Sequence, residues 1–224
     1  MPEGNDSASR EEKKSNFPHN LISQIEFVFV NILLSLHPQI SDMSIWRNIF
    51  CVITSPKYGW EVINESNIPT GKVMHAAYVP LLCVLALSCL VPMIYDRTLS
   101  FSYSLLTGIG MFFSYFLSYY IIMYLLNSLY PDMVKTEGAA ARMNDYILYN
   151  LIFLVLLMIL RQLLPGDFTP VLFLMLYMPW MAYQGTEHLF FKKDRVMKFF
   201  ALSSILLLVL PVALQYIFDL FIIK

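Results

Sequence analysis

The stretch Val73 to Tyr95, VMHAAYVPLLCVLALSCLVPMIY, decides the fold. It lies between Lys72 and Asp96 and runs for 23 residues in which His75 is the one side chain able to titrate near neutral pH. At about 1.5 Å per residue, a helix of that length crosses a hydrocarbon core about 30 Å thick. The rest of the chain is equally apolar. Of its 224 residues, 58% are hydrophobic and 14% charged, where a soluble globular chain carries about 25% charged.

Working outward, the gaps between charges define further crossings. Arg97 to Asp132 leaves 34 uncharged residues, which fits one helix from about Leu99 to Leu126 with interfacial tyrosines. A third runs from Tyr146 to about Leu164, with Arg161 extending its stem so that the guanidinium reaches the headgroups. The sequence Leu164-Pro165-Gly166-Asp167, with Pro170 in the next turn, predicts a tight reversal into a fourth helix over Phe168 to Thr186. Phe199 to Phe218 makes the fifth. The expected fold is therefore all-α, a polytopic integral membrane helical bundle with five transmembrane helices and an amphipathic N-terminal arm. Residues 1–20 are expected as a disordered cytoplasmic tail, 21–72 as amphipathic interfacial helices, and 73–224 as the five-span membrane domain.

An odd number of spans puts the two ends of the chain in opposite compartments. Basic residues divide twelve to three between the two sides, with Arg97, Arg161 and Lys224 on the poorer one. The positive-inside rule then makes the N-terminus cytoplasmic and puts the C-terminus on the opposite side. The formal net charge is -1, so no basic excess exists to neutralise a polyanion's phosphates, and nucleic acid is not an expected partner. The three cysteines read as buried apolar thiols, since Cys83 and Cys89 share one hydrophobic run in which a disulfide has no loop to staple.

Before the first span the pattern changes to amphipathic helix. Leu21, Ile22, Ile25, Val28, Phe29, Ile32, Leu33 and Leu36 recur at helical spacing, up to Pro38. A sixth crossing here would have to include Glu26, so interfacial or protein-packed placement is the favoured reading. A second stretch sets Ile45, Trp46, Ile49, Phe50 and Ile53 on one side, with Arg47, Asn48, Cys51 and Thr54 away from it. Pro56 then ends that helix, and Trp60 opens a short amphipathic turn through Ile63. Trp46, Phe50, Ile53, Pro56 and Trp60 are the expected interfacial contacts of this arm, with Trp46 of the type that prefers the headgroup boundary.

The order of these parts resembles the Yip1 family, particularly its bacterial branch. The residues that carry the resemblance are Thr54-Ser55-Pro56 followed by Trp60-Glu61 and Ile63, then Tyr78, Pro80 and Leu81 at the head of the first span. Five closely spaced spans behind a cytoplasmic N-terminus complete it, and it covers roughly residues 43–224. In eukaryotic members the resemblance implies a helical membrane protein of the secretory pathway that contacts small GTPases and related membrane proteins. For the bacterial branch it implies a cytoplasmic-membrane location.

Reactive chemistry finds little footing in the residues. Arg161, Asp167 and Asp219 fall near the expected span ends, where water or headgroups solvate them. His75 stands alone in the first turn of span one, while His19, His37 and His188 are scattered. No His-Glu-x-x-His, paired-Cys, Gly-x-Ser-x-Gly or phosphate-loop spacing occurs. No catalytic residue, cofactor or metal is expected. Span two carries a more specific feature: Gly110, Ser114 and Ser118 stand four apart on one helix face, a seam that lets a neighbouring backbone approach closely.

Two functions stay open on these residues. The first is a non-catalytic scaffold or membrane-organising, trafficking-related protein that binds partners through its arm and the basic loop Lys192 to Lys198. The second is a small-molecule or lipid transporter built on the proline-interrupted spans, with breaks at Pro80, Pro92, Pro179 and Pro211. Expected partners are membrane lipids, other membrane proteins and further copies of the chain.

Overall fold

The computed structural model describes residues 40–96, 99–131, 138–164, 170–189 and 193–222. The expected tail, the amphipathic stretch 21–36 and the Pro165-Gly166-Asp167 turn lie outside the described residues. Every regular element among the described residues is helical. In chain order they are α1 (Ile40–Thr54), α2 (Pro56–Ser66), α3 (Thr70–Tyr95), α4 (Phe101–Leu129), α5 (Ala139–Leu163), α6 (Pro170–Leu174), α7 (Tyr177–Thr186) and α8 (Lys193–Ile222). Four of them, α3, α4, α5 and α8, are long and apolar enough to cross a membrane, which fits a multi-pass membrane protein.

Proline shapes α3. Pro80 has no N–H, and its ring presses on the carbonyl four residues back. The helix meets this by widening to a π turn over Met74–Tyr78, in which the Val79 N–H reaches the Met74 carbonyl. A second break follows at Cys89, Leu90 and Val91, where Leu90 and Val91 bond back three residues, at 3.0 Å each, before Pro92 restarts the helix.

The same physics interrupts the helix expected as the fourth span. Phe168 to Thr186 does not form one helix: α6 and α7 are separated at Met175 and Leu176. Pro179 cannot donate to the Met175 carbonyl. The Met178 N–H bonds that carbonyl at 3.2 Å instead, and Leu176 bonds Phe173 at 3.0 Å, so the chain turns tightly where a straight helix would continue.

α5 is the centre of the bundle. In its most apolar stretch 72% is buried inside the protein, against 28% for α8. Tyr146, Ile147, Leu148, Leu151, Ile152 and Val155 are nearly or wholly inaccessible. α3 packs against α4 and α5, and α8 lies along α4. Close contact between α3 and α4 depends on Gly108, where a Cβ would stand 2.4 Å from the Ala86 carbonyl oxygen. Outward, Leu106, Ile109, Phe113, Leu117, Tyr120 and Tyr124 of α4 form one exposed stripe at helical spacing, and Ile205, Val209, Val212 and Tyr216 of α8 form another. Apolar stripes this long are unfavourable against water and natural against lipid tails.

Candidate functional site

The arm is fastened to the bundle, and Trp60 is the fastener. Its side chain is buried, and Nε1 donates to the Met181 carbonyl of α7 at 3.0 Å. The indole stacks on Tyr146 at 5.9 Å and meets Tyr149 edge-on at 6.1 Å. Gly185 makes room for it: a Cβ there would lie 2.8 Å from the indole and 2.9 Å from the Tyr146 ring. A second tie runs from the Tyr177 hydroxyl to the Ile53 carbonyl at 2.9 Å. Pro56 is buried beside Trp60 on the same helix face. Trp60 and Pro56 thus face protein rather than a lipid surface.

α1 also turns differently from the sequence expectation. Ile45, Asn48, Ile49 and Val52 are the buried set. Trp46 and Ile53 are half-buried, and Phe50 is 68% exposed. The helix is apolar over two adjacent stripes, so periodicity alone does not choose between them. Asn48 goes inward because α2 supplies a partner, with its Nδ2 donating to the Ser66 hydroxyl at 3.2 Å. The outer stripe and Leu156 of α5 border an apolar groove of about 720 Å³.

At the same end, the Thr70 hydroxyl donates to Asp145 at 2.6 Å, tying the start of α3 to α5. The Tyr146 hydroxyl donates to Ser203 of α8 at 2.9 Å, and the Ser203 hydroxyl donates in turn to the Phe200 carbonyl. His188 accepts a hydrogen bond at Nδ1 from the Asn64 amide at 3.3 Å. Burial holds the His188 pKa below its ordinary 6.5; Glu61 and Glu187 oppose the shift and Arg142 adds to it. Between Trp60, Tyr146, Gly185 and His188 the remaining gap is about 10 Å³, about the space of one water.

The seam in α4 is closed within the chain. Ser114 and Ser118 are fully buried, and their hydroxyls bond the carbonyls of Gly110 and Ser114 at 2.8 and 2.6 Å. Such i−4 bonding satisfies a hydroxyl without a second chain. Tyr78 is buried, and its hydroxyl crosses from α3 to the Tyr115 carbonyl of α4 at 2.8 Å. Leu81 is buried next to it and Pro80 half-buried. His75 is exposed. Among the described residues, no three His, Cys, Asp or Glu side chains converge.

The opposite end of the bundle holds what the sequence did not single out. Tyr95 and Asp96 at the end of α3, Met111 of α4, Arg161 and Gln162 of α5, and Gln215 of α8 border a cavity of about 400 Å³ with a largely polar lining. Four helices contribute to it. Arg161 alone carried a signal, as an arginine near a span end; Gln162 and Gln215, neutral and far apart in sequence, carried none. Comparison with protein-family models, curated proteins and solved structures finds no match to this chain.

Proposed function

We propose that this chain is a non-catalytic, five-pass membrane protein of Yip1 type, a scaffold that recruits membrane partners through its N-terminal arm. Contacts between elements support the pass count. Thr70, Asp145, Tyr146, Gly185 and Ser203 meet at one end, while Tyr95, Leu99, Arg161, Leu164 and Gln215 border one cavity at the other. Along α5, Phe153 meets Tyr177 and Tyr146 meets Gly185, so α7 runs antiparallel to it and α6–α7 serve as a broken fourth crossing. Five passes separate Thr70 from Ile222, and the basic residues favour the cytosolic side for the end of the bundle to which α2 is clamped.

The observation that carries the scaffold reading is the Trp60 clamp. It holds α1 and α2 in one orientation, so that Met43, Phe50 and Tyr58 face outward from a fixed platform. The groove beside Phe50 reaches Leu156, in the C-terminal half of α5, a depth open to lipid-embedded helices. The occupant that fits is an apolar helix of another membrane protein.

The test is a photo-crosslinker at Phe50 in intact membranes, with one at Tyr124 on the exposed stripe of α4 as control. A discrete protein adduct from Phe50, abolished by Met43→Arg and not seen from Tyr124, supports the reading. An adduct of twice the chain mass assigns the groove to a second copy. Lipid adducts alone at both positions contradict it. A second reading, a lipid or small-molecule conduit, is favoured by the polar cavity near Arg161. The filled gap around Trp60 argues against a continuous path.

A further inference from the structure

We propose that the cavity bordered by Arg161, Gln162 and Gln215 is a binding site for the phosphate of a lipid headgroup. Beside the Asp96 carboxylate, which also borders the cavity, the chain offers the donors that such a group needs. Arg161 has a planar fork of N–H donors that matches two phosphate oxygens at once. It is exposed toward the cavity and, among the described residues, forms no ion pair. Gln162 donates one amide hydrogen weakly, to the Met111 sulfur at 3.7 Å, which leaves its second hydrogen for a better acceptor. Gln215 brings another amide from α8.

Depth selects the anion. Arg161 lies two residues before the end of α5, and Tyr95 closes α3 at the same level. A cationic side chain there extends to the headgroup region, where lipid phosphates are the abundant anion. The volume, about 400 Å³, suits a headgroup and falls within the range of ligand sites, about 300–1,000 Å³. Walls from α3, α4, α5 and α8 mean that one bound lipid would brace four helices. The inference rests on the membrane-crossing reading above, but not on which leaflet Arg161 faces.

The experiment uses the full chain purified in detergent and titrated with dioleoyl-phosphatidylglycerol or dioleoyl-phosphatidylethanolamine, with bound lipid counted by native mass spectrometry. The expected result is one tightly held phospholipid per chain. Arg161→Gln should lower its occupancy about tenfold, the usual scale for losing a charge-assisted bond, and Arg161→Lys should retain part of it. Dioleoylglycerol, which has the same tails and no phosphate, should not occupy the site. Displacement by millimolar inorganic phosphate would assign the site to a soluble phosphate compound and overturn the lipid source. Equal occupancy in Arg161→Gln, or equal retention of dioleoylglycerol, would overturn the site itself. Gln215→Ala serves as a second variant, expected to lose a few-fold with the fold intact. Topology labelling of the chain ends tests the crossing reading separately, so the two failures are distinguishable.

Discussion

The two ends of the bundle are built on opposite principles. At the Trp60 end, aromatic rings, a glycine and paired hydroxyls leave about 10 Å³ between them. At the Arg161 end, four helices leave about 400 Å³ lined by amides and charges. The packed end spends its aromatic residues on holding the arm in place, and the open end keeps donors available. A chain selected for stability alone would fill both. The difference therefore points to an arm held rigidly at one end and to donors left open for a small ligand at the other.

That contrast can be broken by substitution. The largest effect is expected from Trp60→Ala, which leaves a cavity and removes the bond to Met181. Burial of this kind is worth about 3–5 kcal/mol, so the apparent Tm in detergent should drop sharply and the arm should become accessible to protease. A drop of less than a degree would show that the clamp does not hold the fold. Gly185→Ala should cost about 1–3 kcal/mol, because its Cβ meets two rigid rings. Tyr78→Phe should cost about 0.6 kcal/mol, the average for an interhelical hydrogen bond within a membrane, read as a small shift in the same melt.

At the open end, Arg161→Gln and Gln215→Ala should change lipid-free stability by no more than about 0.5 kcal/mol. A loss comparable to that of Trp60→Ala would mean that the cavity is a structural feature and would erase the contrast.

How far the sequence could be read follows the same division. Charge-free runs located α3, α4, α5 and α8, because hydrocarbon tolerates few charges and a span has a minimum length. Helix breaks were legible in kind, since Pro80 and Pro179 lack a donor wherever they stand. Their outcome was not: Pro80 is absorbed by a π turn within α3, whereas the segment containing Pro179 divides into α6 and α7. The Trp60 clamp was invisible because it joins residues 121 apart in sequence, and no local pattern encodes that pairing. The orientation of α1 is not legible at Asn48, whose inward turn depends on Ser66 from another helix. Gln162 and Gln215 were missed because a neutral amide inside an apolar run looks like tolerated polarity until a second one converges on it.

The smallest expected effect is a pH dependence at the packed end. His188 accepts from Asn64 in its neutral form, and burial lowers its pKa below 6.5 against the pull of Glu61 and Glu187. The unfolded chain then binds the proton more readily than the folded one. This contribution is complete above about pH 6.5, declines as pH falls below that, and levels off once the folded imidazole itself protonates. His188→Gln should flatten the corresponding slope in melts recorded between pH 7.5 and pH 5, in roughly half-unit steps. An unchanged slope would remove His188 as its source.

The most direct test of the account is the sidedness of the chain ends. In a version lacking Cys51, Cys83 and Cys89, single cysteines are placed at Lys57 on α2 and in a tag after Lys224, and intact cells are treated with a membrane-impermeant maleimide. Five passes with a cytosolic arm predict labelling of the C-terminal cysteine from outside and of the Lys57→Cys site only after permeabilisation. Labelling of both from the same side would contradict the odd number of crossings, and with it the assignment of the two ends to opposite faces of the membrane.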